Sequence, residues 1–115
     1  MRESLEEFSR LYDERPIKSN RFGTQSPHLF ALWCLLKKLK PTHVVESGVW
    51  RGQSTWLIEK ARPEAALFCI DLNFNSLAYR SKTAMYLHER LRDSFLENVS
   101  ERSHPCFFLT ITKTP

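Results

Sequence analysis

Residues 44–55 read VVESGVWRGQST, and Asp71 follows Gly48 by 23 positions. Glu46 stands two before Gly48, and Gly52 stands four after it. Glycine permits positive φ and lets a ligand approach the backbone with no Cβ in the way. A helix that opens just after such a turn aims free N–H groups at whatever lies above it. The pattern therefore suits a nucleotide or nucleoside. Spacing excludes two common nucleotide motifs. G-x-G-x-x-G fails because Trp50 stands two after Gly48, and G-x-x-x-x-G-K-[ST] fails because Gln53 stands five after it, with Ser54 where lysine is required. What remains is a glycine turn with a carboxylate closing each of two flanking apolar runs. A carboxylate at the position of Asp71 can accept both hydroxyls of a ribose.

Each of these residues also has an ordinary structural use. Gly48 and Gly52 serve any tight turn, Glu46 can cap local backbone or pair with Arg51, and Asp71 can cap a following helix. Trp50 either covers a ligand or fills space between sheet and helix. Trp33 and Trp56 lie on apolar stripes and belong to the core. Cys34, Cys69 and Cys106 are far apart and flanked by apolar residues, and His28, His43, His88 and His104 form no ligand pattern. No metal site is expected.

The elements that must position this turn follow from periodicity. Residues 3–13 space Leu5, Phe8, Leu11 and Tyr12 at helical intervals, and Pro16 stops them. A second helix, from Ser26 with Pro27 in its first turn to about Lys40, carries the stripe Leu29, Leu32, Trp33, Leu36 and Leu39. Val44 and Val45, ending in Glu46, form a buried strand; residues 53–61 form a helix; residues 66–70, ending at Asp71, form a second strand. Strand, glycine turn, helix and strand in about 30 residues make the βαβ unit of a parallel sheet. Leu87, Leu91 and Phe95 predict a helix over 84–99, and the alternation of 107–112 predicts a third strand. The fold class is α/β: a partial Rossmann-like, doubly wound parallel sheet behind N-terminal helices. The divisions are an N-terminal helical segment, 1–40, a βαβ nucleotide-binding core, 41–80, and a C-terminal segment, 81–115.

With 115 residues, 42% hydrophobic and 26% charged, the chain has the composition of one globular domain. Its longest apolar run, residues 29–36, is far short of the roughly 20 that span a bilayer. The acidic N-terminus matches neither a secretory signal nor a mitochondrial presequence, which predicts a cytoplasmic protein. Seventeen Lys and Arg oppose 13 Asp and Glu, and the excess falls within residues 15–62. Those cations lack the aromatic interleaving of a single-strand binder and any helix-turn-helix pattern, so nucleic acid is a weak alternative partner.

The segment with Glu46, Gly48 and Gly52 resembles motif I of the class I S-adenosylmethionine-dependent methyltransferases, E/D-x-G-x-G-x-G, with Trp50 in place of the middle glycine. Sequences of the EVGVWRGxS type, near relatives of the cephalosporin hydroxylases, carry the same replacement, and the resemblance covers roughly residues 41–75. It implies S-adenosylmethionine as cofactor, with Gly48 and Gly52 lining its methionine part and Asp71 holding its ribose; no methyl acceptor or catalytic base follows from it.

Members of that branch carry an Asp-Asp-His-Gln-Asn-Ala segment after a buried strand. Codons for residues 109–115 (LTITKTP), read two nucleotides later, can encode that segment. The expectation is a methyltransferase-like protein truncated or frameshifted near its C-terminus; the alternative is a non-catalytic fragment or half-domain. With about three parallel strands, an open sheet edge would favour self-association.

Overall fold

The computed structural model describes residues 2–19, 26–91, 93, 94 and 97, and the backbone of 106–110. Helix α1 spans Arg2–Asp13 and contributes Phe8 to the core. Helix α2 spans Ser26–Leu39 and buries Leu29, Leu32, Trp33 and Leu36. The apolar stripe ends a turn early, with Leu39 exposed. Lys40 takes a left-handed φ of 47° and donates its N–H to Leu36 O, and Pro41 prevents a further turn.

Strand β1, His43–Ser47, is short and β-branched at its centre, with Val44, Val45 and Glu46 buried. Helix α3, Gln53–Ala61, follows the glycine turn and buries seven of its residues, leaving Glu59 and Lys60 nearer the surface. Strand β2, Ala66–Asp71, lies parallel to β1 with Glu46 opposite Cys69 and Ser47 opposite Ile70. The Rossmann-like fold class expected from the βαβ pattern is the one observed.

The C-terminal third departs from expectation in one respect. The helix expected over 84–99 does not begin at 84: Met85–His88 form strand β3, and Glu89–Leu91 a 3-10 turn. Residues 93, 94 and 97 are helical, and the remainder of that expected helix lies outside the described residues. The spacing of Leu87 and Leu91 suggested a helix, but the exposed edge of β2 offers a row of unpaired N–H and C=O groups that residues 85–88 satisfy as a parallel partner. Tyr86 then packs toward the core while Met85 points to solvent. Strand β4, Cys106–Thr110, pairs parallel to β1, close to the expected 107–112, of which 111 and 112 lie outside the described residues.

Among the described residues the sheet thus has four parallel strands, not three, in the order β3-β2-β1-β4. That order reverses direction between β1 and β4, so the carboxyl ends of β1 and β2, with the turn between Ser47 and Gln53, stand beside a topological switch point. The core is built where α2 packs on α3 and α1 packs on α2: Phe8, Leu29, Trp33, Leu36, Trp56 and Leu57 belong to one cluster with Val44 and Leu67. No helix among the described residues is long and apolar enough to cross a membrane.

Candidate functional site

The turn after β1 is held in a conformation that glycine adopts readily. Gly48, Trp50 and Gly52 have φ of 90°, 56° and 102°. Gly48 N donates to Ile70 O at 2.8 Å, continuing the sheet, and Gly52 N donates to Val49 O at 3.2 Å, closing the turn. Trp50, although not a glycine, takes the same left-handed backbone region, at a cost of roughly 1–2 kcal/mol for an L-residue. Val49, between them, points inward and is buried.

Asp71 ends β2 directly beside this turn. Its Oδ2 accepts the N–H of Val49 at 2.9 Å and of Trp50 at 3.3 Å, and its Oδ1 accepts the N–H of Leu72 at 2.7 Å. No helix follows for Asp71 to cap; its carboxylate fastens the glycine turn to the next strand.

Glu46 lies beneath the turn. It is fully buried, with Oε2 accepting from the Ser54 hydroxyl and Oε1 from Thr55 Oγ1 at 2.5 Å; Cys69 Sγ lies 3.9 Å from Oε1. It ties the end of β1 to the first turn of α3 and makes no pair with Arg51, whose Nη1 donates to Ser19 O instead. Burial raises the Glu46 pKa to about 7; the two hydroxyls oppose that rise, and the charge of Asp71 adds to it. Burial also pushes the Cys69 thiol up, and Cys69 and Cys34 are free thiols.

The segment after β2 closes over the other side of the turn. The N–H groups of Ala78 and Tyr79 both donate to Arg51 O, at 2.8 and 2.9 Å. The Tyr79 hydroxyl donates to Glu59 Oε2 at 2.7 Å, and burial together with that carboxylate pushes the phenol up. Phe74 meets Tyr86 edge-to-face at 5.2 Å. Among the described residues, no group of three or more His, Cys, Asp or Glu could hold a metal ion.

The structure therefore brings Gly48, Trp50, Gly52 and Asp71 together at the carboxyl ends of β1 and β2, and sets Glu46 one layer below. Sequence reasoning missed Gln53, Ser54, Thr55 and Tyr79. One signal for the first three was present: a helix with Trp56, Leu57, Ile58 and Ala61 spread around its circumference is buried on most sides, so polar residues in its first turn must find buried partners.

No family model matches the chain, and no curated protein sequence matches it. Solved structures do resemble it. One described as "cmcI-N160 SAH" superposes with a TM-score of 0.62 at 17% identity, over 90% of this chain and 61% of its own. A methyltransferase from Geobacter sulfurreducens superposes with a TM-score of 0.45 at 14% identity, over 96% of this chain and 47% of its own. The chain spans less than two thirds of the length of either. The first likeness, with the strand order, defines the protein as a Rossmann-like α/β fold.

Proposed function

We propose that the crevice above the glycine turn binds S-adenosylmethionine and its demethylated product, and that the chain is a methyltransferase-like nucleoside-binding domain. The observation that carries this reading is the left-handed turn at Gly48, Trp50 and Gly52, clamped by the Asp71 carboxylate at the end of the neighbouring strand. A rigid turn of that kind presents backbone rather than side chain at Gly48, where the methionine portion would lie, and sets the Asp71 carboxylate at the end of the neighbouring strand, where ribose hydroxyls would bond to it. Trp50, half-buried on the turn, would flank the same ligand. Glu46 would act from below, by fixing Ser54 and Thr55 in the helix opening. The neighbour described with SAH supports the same ligand class through its fold alone.

The cofactor would supply an electrophilic methyl group on sulfur. This chain's residues would bind and orient it, since much of the acceleration of methyl transfer is positioning. The acceptor is unassigned. Calorimetric titration of folded protein with S-adenosylmethionine and S-adenosylhomocysteine tests the reading; binding with a dissociation constant below millimolar is expected, and no heat at millimolar ligand overturns it.

A further inference from the structure

Residues 15–19 lie against the opening of α3, and one side chain makes the principal contact. The Ile17 N–H donates to Gln53 Oε1 at 3.2 Å, and Gln53 Nε2 donates to Ile17 O at 2.8 Å. A carboxamide thus pairs with a peptide unit as a neighbouring strand would, across 36 residues of sequence. Both residues are buried, Gln53 at 2% exposure and Ile17 at 4%. Arg51 Nη1 adds a bond to Ser19 O at 3.0 Å. Gln53 is the first residue of α3 and Arg51 belongs to the glycine turn, so the segment is held at the carboxyl ends of β1 and β2. Its other fastenings lead away from the site: Arg15 lies over the Tyr12 ring and bonds Tyr12 O, and Lys18 Nζ bonds Asp13 O, all toward α1.

A buried carboxamide costs free energy unless its donor and acceptor are both met. If packing alone were required at position 53, an apolar side chain would serve. The pairing with Ile17 is what makes glutamine favourable there. We propose that the Ile17–Gln53 amide pair is a latch that keeps residues 15–19 as a fixed wall of the crevice, so that Gln53 is a positioning residue that sets nucleoside affinity without touching the nucleoside. A wall already fixed removes an ordering cost from binding, and affinity then scales with the latched fraction. The affinity half rests on the S-adenosylmethionine reading above; the latch itself does not.

The test uses the full chain with Gln53→Met, which keeps volume and removes both bonds, and Gln53→Glu, which keeps an acceptor for the Ile17 N–H. Trypsin cleavage after Lys18 under native conditions should be about tenfold faster in Gln53→Met, and faster than wild type also in Gln53→Glu, whose second carboxylate oxygen faces the Ile17 carbonyl, with unchanged far-ultraviolet circular dichroism. With the latch shifted from about nine tenths closed to about one tenth, affinity for S-adenosylhomocysteine should also fall about tenfold, and by reciprocity the saturating nucleoside should slow cleavage of the wild type. Unchanged cleavage in a folded Gln53→Met protein overturns the latch. Cleavage raised to the rate of a free peptide carrying residues 15–19, with unchanged affinity, overturns the wall. A wild type that binds no S-adenosylhomocysteine overturns the nucleoside reading and the wall with it, while the cleavage measurement still decides the latch. If Gln53→Met does not fold, Gln53→Glu carries both measurements.

Discussion

The carbonyl oxygen of Tyr79 lies 2.3 Å from where a Cβ on Gly52 would stand. At that separation no side chain fits unless backbone moves, and the backbone concerned is pinned by two N–H bonds to Arg51 O. Gly52 is thus required by the chain's own packing, in addition to its φ of 102°. Its Cα faces the segment after β2, so on the nucleoside reading Gly48 is the glycine that would admit the ligand.

Gly52→Ala is accordingly expected to destabilise the protein by about 2–4 kcal/mol, combining left-handed strain with displacement of the Tyr79 peptide. Urea unfolding measures it. Were Gly52 needed only for a ligand, the variant would melt like the wild type and differ in binding alone.

Gly48→Val should also lose stability, because a β-branched residue resists the φ of 90° found there. On the nucleoside reading it should in addition abolish binding in whatever fraction remains folded, since its side chain would stand on the ligand's side of the turn. Calorimetry after confirmation of folding by circular dichroism decides this, and an undiminished affinity would make Gly48 a turn residue only.

Glu46 gives the fold a pH dependence with a definite sign. Its pKa is near 7 in the folded protein against 4.5 in the unfolded chain. The folded state therefore binds the proton more tightly, and stability falls as pH rises from about 4.5 to about 7, by a total near 3 kcal/mol. Below that window both states are protonated, and above it both are ionised. Glu46→Gln stays neutral and can still meet the Ser54 and Thr55 hydroxyls, so the loss of stability between pH 5 and 7.5 should be smaller in the variant. Denaturant midpoints at the two pH values, compared between wild type and variant, check it; parallel curves would refute it.

Where the sequence was legible, one local signal and one tertiary requirement agreed. Val44 and Val45 favour a strand, the core needs a strand there, and residues 53–61 sit between a glycine turn and Pro63, so the helix bounds follow closely. Residues 85–88 read as helix in sequence because Leu87 and Leu91 satisfy a helical period by coincidence, while what decides their structure, the unpaired edge of β2, is absent from any local window. The same distinction runs through the site. Glu46, Gly48, Gly52 and Asp71 could be placed from spacing. The bonds from Asp71 to Val49 and Trp50, from Gln53 to Ile17 and from Tyr79 to Glu59 join residues about 20 or more positions apart, and only the fold brings them together.

Asp71 combines both kinds of information, and two substitutions separate its roles. Removing the carboxylate in Asp71→Ala leaves the N–H of Val49, a buried residue, without its acceptor, together with those of Trp50 and Leu72. Loss of bonds to a charged group should cost about 2–3 kcal/mol of stability. Asp71→Asn retains one oxygen for Val49 and Trp50 but turns an NH2 group toward the Leu72 N–H or toward a ligand. Its stability loss should be nearer 1 kcal/mol. If the carboxylate also holds ribose hydroxyls, both variants should bind S-adenosylhomocysteine at least about tenfold more weakly than wild type, the asparagine variant doing so while largely folded. Urea unfolding and calorimetry on the same preparations separate the contributions. An asparagine variant that is nearly as stable as wild type and binds equally well would confine Asp71 to fastening the turn.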